Sequence, residues 1–400
     1  MKLEFWRKYL TVFVAVAALG LAACEEKQEE QAQTEEQATE QAAEEPAATE
    51  ETTTEEAATE EATTEEAATT ETEESAAIPA GGELHIYNWG NYTNPELLKR
   101  FEEKYNVKVT LDGYDSNETM LAKVEAGGHG YDIVVPGDYM VAIMIEKGML
   151  EETRPDQMEN FKNVDAQWKD VYWDPGRHYS VPWQWGTTAF TVNTAKYDGD
   201  INTLAILFSP PEVLCGRINM LLDVNDVINA GLRYLGYPRC NSDPNQLREL
   251  NDMLVKAKEC WRTMSYDTIA LTTAGDVDVT QQWNGAAMRA RVDVPTLQYA
   301  YPKEGFTGWM DNVVVLKGAA NVENAKLFQN FIMDPENAAL ISDFAKYANG
   351  IAGSEAFLDP EFANAPEIRI PDGAPAPEFV PPCGPDVAAL YDKIWTNLQK

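Results

Sequence analysis

The stretch LHIYNWGNYTNPELLKRFEEKYNVKVTLDGYDSNETMLAKVEAGGHGYDIVVPGDYMVAIMIEKG, residues 84–148, alternates short apolar runs with longer amphipathic segments. The short runs predict strands and the amphipathic segments predict helices. Asn94 and Pro95 are the N-cap and first residue expected of the first helix. The βαβαβ order predicts an α/β fold with a mostly parallel sheet covered by helices. The predicted strands are 84–88, 107–111 and 131–136.

Aromatic and acidic side chains follow the first and third of these strands. Trp89 and Tyr92 come after the first strand, and Asp138 and Tyr139 come after the third. Ligands of such sheets bind beyond the carboxyl ends of the strands, so we expect Trp89, Asp138 and Tyr139 at one rim. An ammonium group removed from water needs a carboxylate, and an aromatic face adds roughly 0.5–2 kcal/mol. The set therefore predicts a site for a small organic cation.

The same combination of acids and aromatics recurs later in the chain. Trp309 and Asp311 stand two residues apart, and Asp223 and Asp226 stand three apart at a predicted helix start. Acids at that spacing can face the same side of a helix. They also suit a helix N-terminus, where they cap the first turn and complement the dipole. A binding role and a capping role are therefore compatible for this pair.

Six short blocks, in this order, resemble the spermidine/putrescine-binding periplasmic proteins of ABC importers, over about residues 83–400. The resemblance implies a two-lobed, periplasmic-binding-protein-like fold of type II with the ligand cleft between the lobes. The chain would cross between lobes near 186–188 and 309–312. The implied lobes are 79–186 with 309–352, and 187–308 with 353–400. The blocks are Tyr87-Asn88-Trp89, Ser116-Asn117-Glu118-Thr119-Met120, Tyr131-Asp132-Ile133-Val134-Val135-Pro136, Trp283-Asn284-Gly285, Pro302-Lys303-Glu304-Gly305 and Trp309-Met310-Asp311.

The resemblance also implies roles for individual residues. Aromatic positions would stack on the methylene chain of a polyamine, and acidic positions would receive its ammonium groups. Asp311 is expected to matter most, because a carboxylate at a lobe crossing can bind an amine and sense closure at once. Three further tryptophans, at 168, 173 and 395, are expected in the core. The predicted ligand-binding residues are Trp89, Tyr92, Asp138, Tyr139, Asp223, Asp226, Trp283, Trp309, Asp311 and Tyr347.

Several positions depart from the family pattern. Gly90 and Gly137 stand where a hydroxyl residue is usual, and Asp138 is an added acid. Ala286 lacks the Asp seen in putrescine-preferring relatives, Asp226 replaces the more common Glu, and Pro381-Pro382-Cys383 replaces an expected Gln. With three acids retained, a triamine such as spermidine is favoured over putrescine. The alternative is another small cationic or amino compound.

The implied function is capture of a polyamine by a monomer that delivers it to a membrane permease with a cytoplasmic ATPase. We expect no cofactor. An exported hydrolase is the competing class, but the sequence has no Gly-x-Ser-x-Gly, His-Glu-x-x-His or phosphate-loop motif, which argues against an enzyme. A chemosensory or interaction module without a permease is a further alternative.

The N-terminus predicts export. Basic residues precede an apolar run at about 9–20, which is shorter than the ~20 residues that span a bilayer. Leu21-Ala22-Ala23-Cys24 resembles the lipobox of bacterial lipoproteins. Residues 1–23 are therefore a predicted lipoprotein signal peptide, Cys24 the lipidation site, and the protein a membrane-anchored periplasmic one. The alternative is an ordinary signal peptide followed by a chance cysteine.

The segment 24–78 predicts a disordered tether. Residues 25–78 hold 20 Glu, one Lys and no aromatic residue, too little apolar surface to offset the entropy of ordering. Of the formal net charge of −35, residues 1–23 carry +2 and 25–78 carry −19, which leaves −18 on 79–400. An acidic folded part argues against nucleic acid and favours attraction of polycations. Its roughly 320 residues exceed the size of one usual core, which predicts two lobes.

Four cysteines remain besides Cys24, an even number in an exported chain, so disulfides are expected. Four cysteines allow three connectivities. Cys240 and Cys260 flank one predicted helix and are the favoured pair, which leaves Cys215 with Cys383. A zinc site is disfavoured, because no Cys-x-x-Cys occurs and no histidine lies near these cysteines in the sequence.

Overall fold

The structure is a computed structural model that describes residues 81–400. The predicted signal peptide 1–23, the lipidation site Cys24 and the tether 24–78 lie outside these residues. Within 81–400, no helix is both long enough and apolar enough to cross a membrane.

The described part of the chain contains ten strands and twelve α-helices, together with five short 3₁₀ helices. The strands are β1 (Glu83–Trp89), β2 (Lys108–Tyr114), β3 (Ile133–Val134), β4 (Ser180–Asn193), β5 (Ile218–Met220), β6 (Trp261–Met264), β7 (Val279–Trp283), β8 (Leu297–Tyr299), β9 (Thr307–Val315) and β10 (Glu378–Phe379). The helices are α1 (Pro95–Tyr105), α2 (Asn117–Glu125), α3 (Asp138–Glu146), α4 (Ala205–Phe208), α5 (Val224–Tyr234), α6 (Pro244–Lys258), α7 (Thr268–Thr273), α8 (Asn284–Asp293), α9 (Val322–Ile332), α10 (Pro335–Ala345), α11 (Pro360–Ala363) and α12 (Pro385–Leu398).

Local sequence rules account for the first helix. The Asn94 side chain accepts a hydrogen bond from the backbone N–H of Glu96 at 3.0 Å, and α1 begins at Pro95 as predicted. The helix buries Leu97, Phe101 and Tyr105, which share one face at helical spacing. Its amphipathic pattern therefore places α1 against the core.

The sheet is mixed, in the order β2-β1-β3-β9-β4-β7-β5-β6, with β10 beside β9 and β8 beside β4. β1 runs parallel to β2 and β3, and β5 runs parallel to β6 and β7. The prediction of a mostly parallel sheet holds for these two ends. It is wrong for the centre, where β9 pairs antiparallel with β3 and β4, and β4 pairs antiparallel with β7. The βαβ rule describes crossover connections, and β4 and β9 are long strands outside those units.

Two hydrophobic cores lie along the sheet, and β4 contributes to both. Val181 and Trp183 belong to the first core, whereas Phe190 and Val192 belong to the second. The first core takes its other residues from 84–173 and 310–351, and the second from 204–306 and 391–398. The exact lobe boundaries stay a prediction, which this distribution supports. The tryptophans at 168 and 173 are buried in the first core, as predicted, whereas the one at 395 is partly buried and packs against the second.

The four cysteines form the disulfides Cys215–Cys260 and Cys240–Cys383. The expected pairing of Cys240 with Cys260 is wrong. These two residues flank α6, whose length at 1.5 Å per residue is about 22 Å, whereas bridged Cα atoms lie within about 7 Å. Cys215 and Cys260 instead meet because they precede β5 and β6, which are parallel neighbours.

Candidate functional site

A cavity of about 780 Å³ lies between the two cores, within the size range of small-molecule sites. All ten predicted ligand-binding residues line it. They come from the end of β1, the N-termini of α3 and α5, the end of β7, the middle of β9 and the segment after α10. Their role as ligand contacts stays a prediction, but the structure brings them to one place. They are Trp89, Tyr92, Asp138, Tyr139, Asp223, Asp226, Trp283, Trp309, Asp311 and Tyr347.

Aromatic rings form the walls of this cavity. The ring centroids of Trp309 and Tyr347 lie 5.2 Å apart at an interplanar angle of 67°, and those of Tyr92 and Tyr347 lie 5.7 Å apart. The indole N–H of Trp89 donates to the Val135 carbonyl at 2.9 Å, which fixes the orientation of that ring. Edge-to-face packing of this kind makes a rigid apolar surface. The walls can cover the methylene groups of a ligand.

Two glycines allow these rings to approach the backbone. A Cβ atom on Gly285 would lie within 2.6 Å of both the Tyr347 ring and the Lys346 carbonyl oxygen. A Cβ atom on Gly186 would lie 2.7 Å from the Trp309 ring. Real Cβ contacts are longer than this, so a larger residue at either position would displace an aromatic wall. The close packing of Tyr347 therefore explains why the Trp-Asn-Gly block ends in a glycine, Gly285.

Asp311 is a buried carboxyl group in the cleft, with 7% of its surface exposed. Its Oδ2 accepts a hydrogen bond from the Tyr92 hydroxyl at 2.8 Å. Burial raises the pKa of Asp311 to about 8; the Tyr92 hydrogen bond opposes this shift, and the charge of Asp138 adds to it. The cleft thus holds this group as a weak acid. A bound cation would favour the ionised form.

Asp138 is the first residue of α3 and is 3% exposed. Its Oδ1 accepts from the backbone N–H of Tyr139 at 2.8 Å, while Oδ2 has no hydrogen-bond partner in the described structure. Burial raises its pKa to about 7, and the Tyr139 N–H and the charge of Arg239 oppose that shift. A buried carboxylate oxygen without a partner is costly, so this atom is available to a donor in the cleft.

Asp223 and Asp226 face the cleft at the start of α5. Asp223 caps the helix, because its Oδ1 accepts the backbone N–H of Asp226 at 2.9 Å. The Thr188 hydroxyl donates to Asp226 at 3.3 Å. Burial and the charge of Asp226 raise the pKa of Asp223 well above its usual range, and burial raises that of Asp226 to about 6. The pair caps the helix and leaves negative charge that a cation can offset.

Many other residues line the cavity without having been assigned a role from the sequence, and four of them are Glu118, Arg239, Tyr266 and Arg289. Glu118 accepts from the Tyr139 hydroxyl at 3.0 Å, and its place in the Ser116–Met120 block could have indicated it. Tyr266 stacks on Trp283, with centroids 6.1 Å apart and planes 12° apart. It follows β6 in a loop, where no periodic pattern points to it. The two arginines have no sequence feature that places them in an acidic cleft.

Acidic side chains outnumber basic ones in the cavity. Eight Asp or Glu side chains and two guanidinium groups line it. A cleft with this balance concentrates cations from solution through its electrostatic field. Among the described residues, no cluster of three or more His, Cys, Asp or Glu side chains is arranged to hold a metal ion.

A mixed α/β fold with a solute-sized cleft between two cores is the architecture of a solute-binding receptor. The chain belongs to the family of bacterial extracellular solute-binding proteins, whose model matches residues 96–370. It is 32% identical over 323 residues to the spermidine/putrescine-binding periplasmic protein of Salmonella typhimurium, covering 79% of this chain and 91% of that protein.

Solved structures give the same fold. A putative spermidine/putrescine ABC transporter from Listeria monocytogenes matches with a TM-score of 0.74 and 30% identity, over 79% of this chain and 98% of that one. The TpPotD lipoprotein of Treponema pallidum matches with a TM-score of 0.70 and 25% identity, over 79% of this chain and 99% of that one. The periplasmic-binding-protein-like α/β fold expected from the sequence is confirmed. These relatives are components that bind or transport solutes.

Proposed function

We propose that this chain binds a polyamine, spermidine or putrescine, in the cleft and delivers it to an ABC importer. The observation that carries the proposal is the buried carboxyl of Asp311 beside the aromatic walls of Trp309 and Tyr92. A buried acid without a cationic partner is unfavourable, and an ammonium group would supply that partner. The names of the relatives support a polyamine as the source of the ammonium group.

Acidic side chains and aromatic rings would bind different parts of the ligand. The ammonium groups go to Asp311 at one position and to the Asp223–Asp226 pair at another, while the aromatic rings cover the methylenes between them. The distance between the carboxylates then measures the distance between the ammonium groups. Closure of one lobe over the other is a population shift toward the state with more contacts to the ligand.

The partners follow from the same function. The closed, liganded protein would dock on a permease with a cytoplasmic ATPase, act as a monomer without catalytic activity, and stay on the periplasmic side through a lipid on Cys24. The relative from Treponema pallidum, itself called a lipoprotein, supports the anchor. Replacement of Cys24 by Ala should move the protein from the membrane fraction to the soluble periplasmic fraction. An unchanged distribution would contradict the anchor.

Calorimetric titration tests the proposal. Residues 79–400 are unfolded without reductant to release bound ligand, refolded, and titrated with spermidine, putrescine and a neutral sugar. Saturable binding of one amine per chain with no response to the sugar is the expected result. A folded protein that gives no heat with either amine would overturn the polyamine assignment.

A second candidate is another small cationic or amino compound. The two guanidinium groups of Arg239 and Arg289 in the cleft favour it, because a plain polyamine has no group that needs them. The same titration with an amino acid that carries a side-chain amine, such as ornithine, separates the two candidates. Tighter binding of that amino acid than of either polyamine would favour this alternative.

A further inference from the structure

The segment 380–383, part of which lines the cavity, is held by hydrogen bonds and by a disulfide. Tyr172, beside the first core, donates its hydroxyl proton to the Val380 carbonyl at 2.8 Å. Arg239 donates to the carbonyl oxygen of Pro381, and its neighbour Cys240 is bridged to Cys383. The disulfide therefore holds the Arg239 backbone next to the segment 380–383. Arg239 is a fixed part of the cleft wall.

Arg239 and Asp138 both line the cavity. The Oδ2 atom of Asp138 and the Nε atom of Arg239 are buried without a hydrogen-bond partner among residues 81–400. The charge of Arg239 favours the ionised form of Asp138, as does the charge of the buried Arg177, which does not line the cavity. The negative charge of Asp138 is thus already opposed by the protein itself.

The other carboxylates that we assign to ammonium groups lack such a counter-charge in the cavity. The donors at Asp311 are neutral, namely the Tyr92 hydroxyl at 2.8 Å and the side chain of Trp89. The charge of Arg233 also favours the ionised form of Asp226, but this guanidinium does not line the cavity and is already paired with Glu378 at 2.8 Å. Arg289 interacts with the hydroxyl of Tyr347. The cleft therefore has two strongly cation-attracting positions, at Asp311 and at the Asp223–Asp226 pair.

We propose that Arg239 is a specificity-determining residue that offsets the charge of Asp138, so that the cleft accepts two ammonium groups and selects a diamine over a triamine. This inference rests on the proposed function and narrows its ligand. It reverses the preference for a triamine drawn from the sequence, which was based on the retained acids Asp223, Asp226 and Asp311. A third ammonium group placed near Asp138 meets the guanidinium as well as the carboxylate, and the two effects oppose each other.

The test compares two amines on the full chain with Arg239→Gln, Asp138→Asn and the control Arg262→Gln. Arg262 is a surface arginine outside the cavity, 3.6 Å from Asp276. Titration calorimetry gives the ratio of the spermidine Kd to the putrescine Kd for each protein. The wild type and the control are expected to bind putrescine more tightly. In Arg239→Gln this ratio should fall about tenfold, in favour of spermidine, because a positive charge that repels the third ammonium group is removed.

Asp138→Asn keeps the contact of Arg239 with Pro381 and is expected to raise the ratio of the spermidine Kd to the putrescine Kd. Without its counter-charge, Arg239 repels a third ammonium group more strongly. A general folding defect would weaken both amines in both variants and would not give shifts of opposite sign. Ratios within twofold of wild type in both variants, with putrescine still bound, would overturn this inference and leave the proposed function intact. Failure of the wild type to bind either amine would instead overturn the proposed function.

Discussion

Replacement of Asp311 by Asn changes the charge at the buried acid and keeps its shape. The asparagine side chain is isosteric with the protonated carboxyl and still accepts from the Tyr92 hydroxyl, which lies 2.8 Å from the Asp311 Oδ2 atom. Loss of one partner of a buried, hydrogen-bonded charge pair costs roughly 2–5 kcal/mol in binding. The wild type must first ionise a group of pKa about 8, which at pH 7 costs about 1.4 kcal/mol. The net loss is roughly 0.6–3.6 kcal/mol, or about 3- to 400-fold in Kd.

The same group makes binding depend on pH. Because its pKa is raised to about 8, Asp311 in the free protein is protonated below that pH, and a cation binds best to the ionised form. The ionised fraction rises from about 1% at pH 6 to about half at pH 8, which tightens binding roughly fifty-fold while the amines stay charged. Asp138, with a pKa of about 7, acts in the same direction. Asp311→Asn should remove most of this dependence.

The variant also has a predictable effect on the free protein. The folded state holds a proton on Asp311 that the unfolded chain releases above its ordinary pKa. The free energy of unfolding therefore falls as pH rises from about 4 to 8. Asn cannot ionise, so ligand-free Asp311→Asn should melt at or above the wild-type temperature at pH 8. Weaker binding together with undiminished stability separates a lost ligand contact from a damaged fold.

The assay is calorimetric titration of putrescine and spermidine at pH 6, 7 and 8, with thermal melts of the ligand-free proteins. Asp198→Asn is the matched control, since Asp198 is exposed and lies outside the cavity. Proton release on binding should also make the wild-type enthalpy depend on the buffer. Equal affinities for Asp311→Asn and wild type at pH 8, or a wild-type affinity that is flat between pH 6 and 8, would refute the reasoning.

Three further predictions concern the walls and the framework of the cleft. Trp309→Ala should weaken amine binding roughly tenfold or more, and Trp309→Phe should weaken it less, because an aromatic ring remains. Equal affinities of the wild type and both variants in a calorimetric titration would show that Trp309 does not contact the ligand. Loss of the Cys240–Cys383 disulfide should lower the free energy of unfolding by about 1 kcal/mol more than loss of Cys215–Cys260, because the first closes a loop of 143 residues and the second a loop of 45. Denaturant unfolding of the two double Cys→Ser variants measures this difference. A larger loss of stability without Cys215–Cys260 would contradict the prediction. Gly285→Ala should lower the free energy of unfolding by roughly 1–3 kcal/mol and displace the Tyr347 ring. The control Gly384→Ala should be close to neutral, because no described atom lies within 4 Å of the added Cβ. Similar melting temperatures for the two variants would show that the structure around Gly285 relaxes.

Short-range features of the chain were predictable because they depend on neighbouring residues. The Asn94 cap and the start of α1 at Pro95 follow from backbone donors that need a partner within one turn. The order of strands and helices in 84–148 follows from apolar spacing. The placement of Trp89 and Asp138 at one rim follows from the rule that parallel strands end on the same edge, and both residues line the cavity.

Contacts between distant parts of the chain were harder to predict from the sequence. Apolar spacing does not tell which strands are neighbours, so the antiparallel centre of the sheet and the pairing of Cys215 with Cys260 were missed. Arg239 lies between α5 and α6 without any pattern that relates it to Asp138, about a hundred residues earlier. Only the folded chain brings the two into the lining of one cleft.

The kind of site was evident from the chain before folding: acids and aromatics after strand ends, in blocks that resemble a family of polyamine receptors. Those features are local, because the periodicity, capping and residue chemistry that produce them act over a few residues. Folding then sets which charges are free to act on a ligand. Burial and the approach of Arg239 set the proton affinity and the counter-charge of each carboxylate, and both depend on the distances between segments far apart in the chain.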